Sequence, residues 1–102
     1  MTRRRLLGEF LGTGAMVGVG CGSIAAGAPS TIVCLAFGAV VTAMILVFGP
    51  WSGAHINPAV SIAFWLDDQL EGRMVAPYIL AQSLGGMAAA WLVNGAGPTL
   101  PA

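Results

Sequence analysis

The sequence predicts an all-α membrane protein with three transmembrane helices and one re-entrant half-helix. Three observations carry that prediction. Of 102 residues, 57% are hydrophobic and 8% charged, where a soluble domain carries about 25% charge; mean hydropathy is +0.85. Three stretches, roughly 6–27, 32–49 and 74–93, approach the about 20 mainly apolar residues that a span needs. Between the last two lies Trp51-Ser52-Gly53-Ala54-His55-Ile56-Asn57-Pro58-Ala59-Val60-Ser61, a polar turn that runs into a helix start. Irregular backbone facing lipid costs several kcal/mol for each unpaired N–H or C=O, so at membrane depth this segment is expected to line an aqueous cavity.

The first span is rich in glycine. Gly8 and Gly12 form one GxxxG pair, and Gly14, Gly18 and Gly22 form a second row at the same spacing. Such rows let helices approach closely, as a specific dimer face or within a crowded bundle. Ala28-Pro29-Ser30-Thr31 is a tight turn into the second span. After it, Asn57 is a good N-cap and Pro58 fits the first helical position, so residues 57–66 read as about two helical turns, too short to cross a bilayer. Such a half-helix ends part-way across with its free N–H groups and positive dipole end exposed. The hydrophilic run Asp67-Asp68-Gln69-Leu70-Glu71-Gly72-Arg73 separates it from the third span, where Ala81, Gly85 and Ala89 give a weaker small-residue row. Asn94 to Ala102 has strong breakers and reads as a loop or linker. No internal repeat is visible, so residues 1–102 read as one unit.

Arg3, Arg4, Arg5 and Arg73 fall on one side of a three-span arrangement, which predicts a cytoplasmic N-terminus. Trp51, Trp65 and Tyr78 then sit near the cytoplasmic boundary and Trp91 near the outer one, as interfacial anchors. Net charge is zero and no basic stripe is present, which argues against nucleic acid. Cys21 and Cys34 read as small buried packing residues. No nucleophile and base pair, paired carboxylates or phosphate loop can be assembled, so an enzyme is not expected and no cofactor is implied. Arg3-Arg4-Arg5 followed by Ala25-Ala26-Gly27-Ala28 also resembles an export signal with a cleavage site, but Glu9 inside the apolar region argues against that.

Polar side chains within the spans need an account. Glu9 either pairs with Arg5 and snorkels, or accepts backbone N–H groups that hold the Asn57 segment in shape. Gln82 in the third span admits the same two readings. His55 precedes the half-helix in extended backbone, where its carbonyl is more useful than its ring; a metal site is not expected, because no second ligand stands at the right spacing.

Ser52-Gly53-Ala54-His55-Ile56-Asn57-Pro58-Ala59-Val60 resembles the first-repeat signature of the aquaporin and glycerol-facilitator (major intrinsic protein) family. Glu9-Phe10-Leu11-Gly12-Thr13, Ala36-Phe37-Gly38, Tyr78, Ala81-Gln82 and Gly85 match the family pattern at the expected offsets. The resemblance covers nearly the whole chain but one of the family's two repeats, and so implies half of a six-helix fold. It implies further that the carbonyls of Gly53, Ala54 and His55 line a single-file path, that Asn57, at the head of the Asn57-Pro58-Ala59 turn, donates to a passing oxygen, and that Phe37 sits in the constriction. Glu9 and Gln82 are then scaffold residues. The expected solute is water or a small neutral molecule, with the half-helix dipole disfavouring protons and cations. The family's constriction also uses an arginine after the second Asn-Pro-Ala; here Val60 follows Ala59, and no Arg or Lys stands between Arg5 and Arg73. The expected partners are therefore the lipid bilayer and a second half, from a second-repeat polypeptide or an antiparallel second copy, in a bacterial-type inner or plasma membrane. The alternative is a structural or assembly subunit, or a truncated channel fragment, without transport of its own.

Overall fold

A computed structural model of the chain describes residues 2–96. The helices are α1 (Thr2–Ala25), α2 (Ser30–Ser52), α3 (Pro58–Leu66) and α4 (Gly72–Ala96). Three of them, α1, α2 and α4, are long and apolar enough to cross a membrane. The long dimension of 40 Å is close to the about 40–45 Å of a bilayer with its headgroups. With nine residues, α3 is only about 13 Å long.

The helix ends follow local chemistry. α1 takes Arg3, Arg4 and Arg5 into its first turns, ahead of the expected start at Leu6, and closes where Gly27 adopts a left-handed φ of 79°, a conformation without steric cost for glycine. Pro29, extended at φ −66° and ψ 159°, hands the chain to α2. That helix runs through Pro50 to Ser52, past the expected end at Gly49; a proline near the C-terminal end still costs a backbone bond. Asn94-Gly95-Ala96, read from sequence as the start of an irregular tail, instead completes α4, because extending a formed helix needs no new nucleus. The rest of that tail, residues 97–102, lies outside the described residues.

α1 is the central helix. It packs against α2 on one side and α4 on the other, and α3 packs against α4; among the described residues α2 does not pack on α3, and it meets α4 at its C-terminal end, where Tyr78 reaches the Ser52 carbonyl. The glycine rows explain this arrangement. A Cβ on Gly8 would stand 3.0 Å from Ser52 Oγ, and one on Gly12 2.7 Å from Ile56 Cγ2. Gly14 and Gly18 face the other way: a Cβ on Gly14 would lie 3.3 Å from the Gly85 carbonyl oxygen, and one on Gly18 3.9 Å from Ala89 Cβ. From the other side, a Cβ on Gly85 would overlap the Phe10 carbonyl. The two rows thus serve two neighbours within one chain. Gly22 corrects the spacing argument, since nothing comes within 4 Å of its Cβ position; crossing helices touch over a limited stretch only. Gly20, which spacing did not single out, is covered by the Phe37 ring.

Two further expectations are corrected. Tyr78 is fully buried rather than an interfacial anchor, because its hydroxyl has a specific partner described below. Cys34 is exposed and Cys21 only half-buried: Cys34 lies on α2, which packs along its length on α1 alone among the described residues, and Cys21 lies beside Gly22, where nothing comes close to α1. Leu35, Leu46, Leu66, Met87, Trp91 and Leu92 are each more than 60% exposed, an apolar surface that suits lipid or further helices rather than water.

Candidate functional site

The segment between α2 and α3 begins at Gly53, whose N–H bonds to the Gly49 carbonyl at 2.8 Å while its φ of 88° turns the chain out of the helix. Ala54 and Ile56 also have left-handed φ values, 49° and 46°. That region is unfavourable for residues with a Cβ and most so for a β-branched one, so the shape must be imposed from outside.

Glu9 imposes it. From its place in the third turn of α1 its side chain is completely buried. Oε2 accepts from Ser52 Oγ at 2.6 Å and the His55 N–H at 3.0 Å; Oε1 accepts from the Ile56 N–H at 2.8 Å and Gln82 Nε2 at 2.7 Å. Four donors from α2, the loop and α4 converge on one carboxyl group, so the bracket is the arrangement found and the pairing with Arg5 is not. Gln82 has the same role from α4: its amide nitrogen also donates to Ser61 Oγ at 2.9 Å, tying α3 to α4. Gln82 Oε1 and Thr13 Oγ1 are buried without a hydrogen-bond partner among the described residues.

With the N–H groups of His55 and Ile56 turned to α1, the carbonyls of Gly53, Ala54 and His55 accept no backbone hydrogen bond among the described residues. The methyl of Ala54 and the ring of His55 are buried, so these residues have only backbone to offer on the open side. The His55 ring is a fastener: Nδ1 lies 2.9 Å from Ser61 Oγ, and the ring stacks on Phe64 at 4.5 Å between centroids, 8° from parallel.

Asn57 caps α3 from extended backbone, and its Oδ1 accepts from the Ala59 N–H at 2.8 Å. Since the amide oxygen is engaged, the amide nitrogen is the free end of the side chain. Asn57, Pro58 and Ala59 are all exposed, on the side left open because α2 and α3 do not meet. Phe37 is half-buried against Gly20. It stands 15 residues before Ser52, or about 22 Å along α2.

A second chain of contacts anchors the outer end of the loop. Arg5 makes a two-pronged pair with Glu71, at 2.9 and 3.0 Å, and its Nε donates to the Tyr78 hydroxyl at 3.1 Å. That hydroxyl donates to the Ser52 carbonyl at 2.7 Å. The guanidinium holds the exposed Glu71 carboxyl at about 2, below the usual 4.5. Arg4 lies 4.9 Å over the Trp51 ring, and Arg73 is 3.6 Å from Glu71. The arginines therefore gather at one end of the bundle. Ser52, Ser61, Tyr78 and Glu71 carry this framework without having been singled out for it by sequence reasoning. The signal available was polar chemistry at a span end, with no local spacing to pair it. Among the described residues no group of three or more His, Cys, Asp or Glu is placed to hold a metal ion.

Three membrane-length helices with a polar loop folded back among them and a capped half-helix define a polytopic membrane protein with a re-entrant segment. The Major intrinsic protein family profile matches residues 1–100, and the chain belongs to that family. It is 45% identical over 93 residues to Aquaporin NIP3-1 of Arabidopsis thaliana, covering 85% of this chain and 29% of the relative. It is 44% identical over 94 residues to Aquaporin Z of Photorhabdus laumondii (85% of this chain, 41% of the relative) and 41% identical over 100 residues to Aquaporin Z of Rhodopseudomonas palustris (91% and 42%). The chain thus spans less than half the length of each.

Proposed function

We propose that the chain is one half of a channel for passive permeation of water or a small neutral solute, completed by a second half from another polypeptide. The observation that carries this reading is the Asn57 amide: its oxygen is committed to the Ala59 N–H, and its nitrogen is left as a donor at the exposed tip of α3. A molecule passing this tip gives its oxygen to Asn57 and its hydrogens to the carbonyls of Gly53, Ala54 and His55. A water held in that way cannot also accept a proton along the file, and the N-terminal end of α3, equivalent to roughly +0.5 charge, repels cations. Phe37 narrows the path beyond the tip of α3. Glu9 and Gln82 are scaffold and touch no solute. The open side between α2 and α3 is where the second half docks, and the arginine end faces the cytoplasm.

The test is osmotic shrinkage of proteoliposomes containing the chain alone, or the chain with a second-repeat polypeptide from the same family. Fast shrinkage only with both, abolished when Asn57→Trp fills the path, supports the reading. If the pair shrinks no faster than protein-free lipid, the chain is an assembly subunit or a fragment without transport of its own.

A further inference from the structure

Opposite the pore loop, α1 and α4 part to form a groove of about 630 Å³ lined by Arg3, Leu7, Phe10, Ala76, Pro77 and Leu80, among others. Apart from Arg3 its walls are apolar. The hollow arises from sequence: Ala76 and Pro77 offer little side chain where Leu7 and Phe10 come across from α1. At 100° per residue, Arg3, Leu7 and Phe10 share one face of α1, while Gly8 and Gly12, which touch Ser52 and Ile56, lie on the opposite face. A second half that meets the Asn57 tip therefore leaves this groove on the outer surface.

We propose that the groove holds an acyl chain of an anionic phospholipid, with the headgroup phosphate on Arg3. The three neighbouring arginines of α1 are used differently. Arg5 is neutralised by Glu71 and Arg4 is spread over Trp51. Arg3 is exposed and has no carboxylate partner among the described residues, and it stands at the mouth of the groove, at the end of the bundle where headgroups lie. Leu7, Leu80 and Leu84 along the groove are 44, 61 and 49% exposed, a continuous apolar track running inward from Arg3, the one charged residue of its lining. A lipid with an anionic head and a hydrocarbon tail matches both features; a zwitterionic lipid matches only the track.

Native mass spectrometry of the full chain released from detergent, with phosphatidylglycerol or phosphatidylcholine added, tests this. The expected result is a preference of about fivefold for phosphatidylglycerol, the size of one arginine's attraction at an anionic surface. Arg3→Gln removes the preference, Arg4→Gln keeps it, and Ala76→Trp, which fills the groove, weakens retention of both lipids. A preference that survives Arg3→Gln overturns the proposal, as does lipid retention unchanged by Ala76→Trp. A two-chain species that Ala76→Trp returns to one chain overturns it as well, because the occupant is then a second copy. Arg3→Gln alters an exposed side chain, so the outcome does not depend on whether the tryptophan variant folds.

Discussion

At the residue scale, the loop depends on side chains that never meet solvent. Asn57→Asp keeps an oxygen to cap Ala59 but replaces the donor with an acceptor and puts a negative charge at the positive end of α3. In the channel proposed above, osmotic flux is expected to fall or cation leak to appear; unchanged flux and unchanged ion exclusion in proteoliposomes would overturn the role proposed for Asn57. Glu9→Ala strands the His55 and Ile56 N–H groups, each at a cost of about 1 to 3 kcal/mol, while Ser52 Oγ and Gln82 Nε2 keep second acceptors in the Phe48 carbonyl and Ser61 Oγ; it is expected to lower the melting temperature and the yield of folded protein sharply. Glu9→Gln keeps one acceptor oxygen and is expected to fall between the two; equal melting of all three proteins would mean that the bracket carries no weight. Much of this was legible beforehand. Asn57 and Pro58 announce a capped helix by local chemistry, and a carboxyl group in an apolar span demands partners. Which partners Glu9 takes was not legible, because Arg5 lies one turn away on the same helix whereas Ser52, His55, Ile56 and Gln82 converge only through the fold.

At the element scale, the close approach of α1 and α4 rests on Gly85. Gly85→Leu puts a side chain into the Phe10 carbonyl and is expected to separate the two helices and destabilise the fold by several kcal/mol; the same change at Gly22, where a Cβ meets nothing within 4 Å, is expected to leave thermal stability within about 0.5 kcal/mol. The latch at the arginine end makes a pH prediction. Glu71 has a folded-state value of about 2 against 4.5, so its contribution is fully present above about pH 4.5 and is lost as pH falls towards 2. Melting is therefore expected to differ between the parent and Glu71→Gln by the same small amount at pH 6 and pH 8, with the difference vanishing near pH 2. Helix number and order could be read from hydropathy, and the small-residue rows announced tight packing. What spacing alone did not give was direction: Gly8 with Gly12 and Gly14 with Gly18 look alike in sequence yet face different neighbours. The latch itself joins residues 5, 52, 71 and 78, too far apart for any local pattern to link.

At the scale of the whole molecule, symmetry and charge pull in opposite directions. Two copies bring two half-helices together from opposite leaflets only if they insert in opposite senses, yet Arg3, Arg4, Arg5 and Arg73 gather at one end and favour one sense. Most copies are therefore expected to insert with the N-terminus inside, and the purified chain alone to conduct little water. Single cysteines placed at residues 2 and 99, in a background with Cys21 and Cys34 replaced, report orientation when sealed vesicles are labelled from each side. An even split together with fast shrinkage would establish an antiparallel pair of identical chains instead.

The Glu9 bracket also sets a schedule for biosynthesis. Its donors lie 43, 46, 47 and 73 residues further along the chain, so α1 leaves the ribosome with a polar group that nothing yet answers. α2 and the loop supply three of the four bonds, and the last waits for α4. Until Gln82 emerges, the nascent chain is expected to hold α1 near the insertion machinery rather than release it to lipid. A ribosome stalled at Leu66 should therefore leave α1 crosslinkable to that machinery, and release of the chain from the ribosome, which frees Gln82, should end the crosslink.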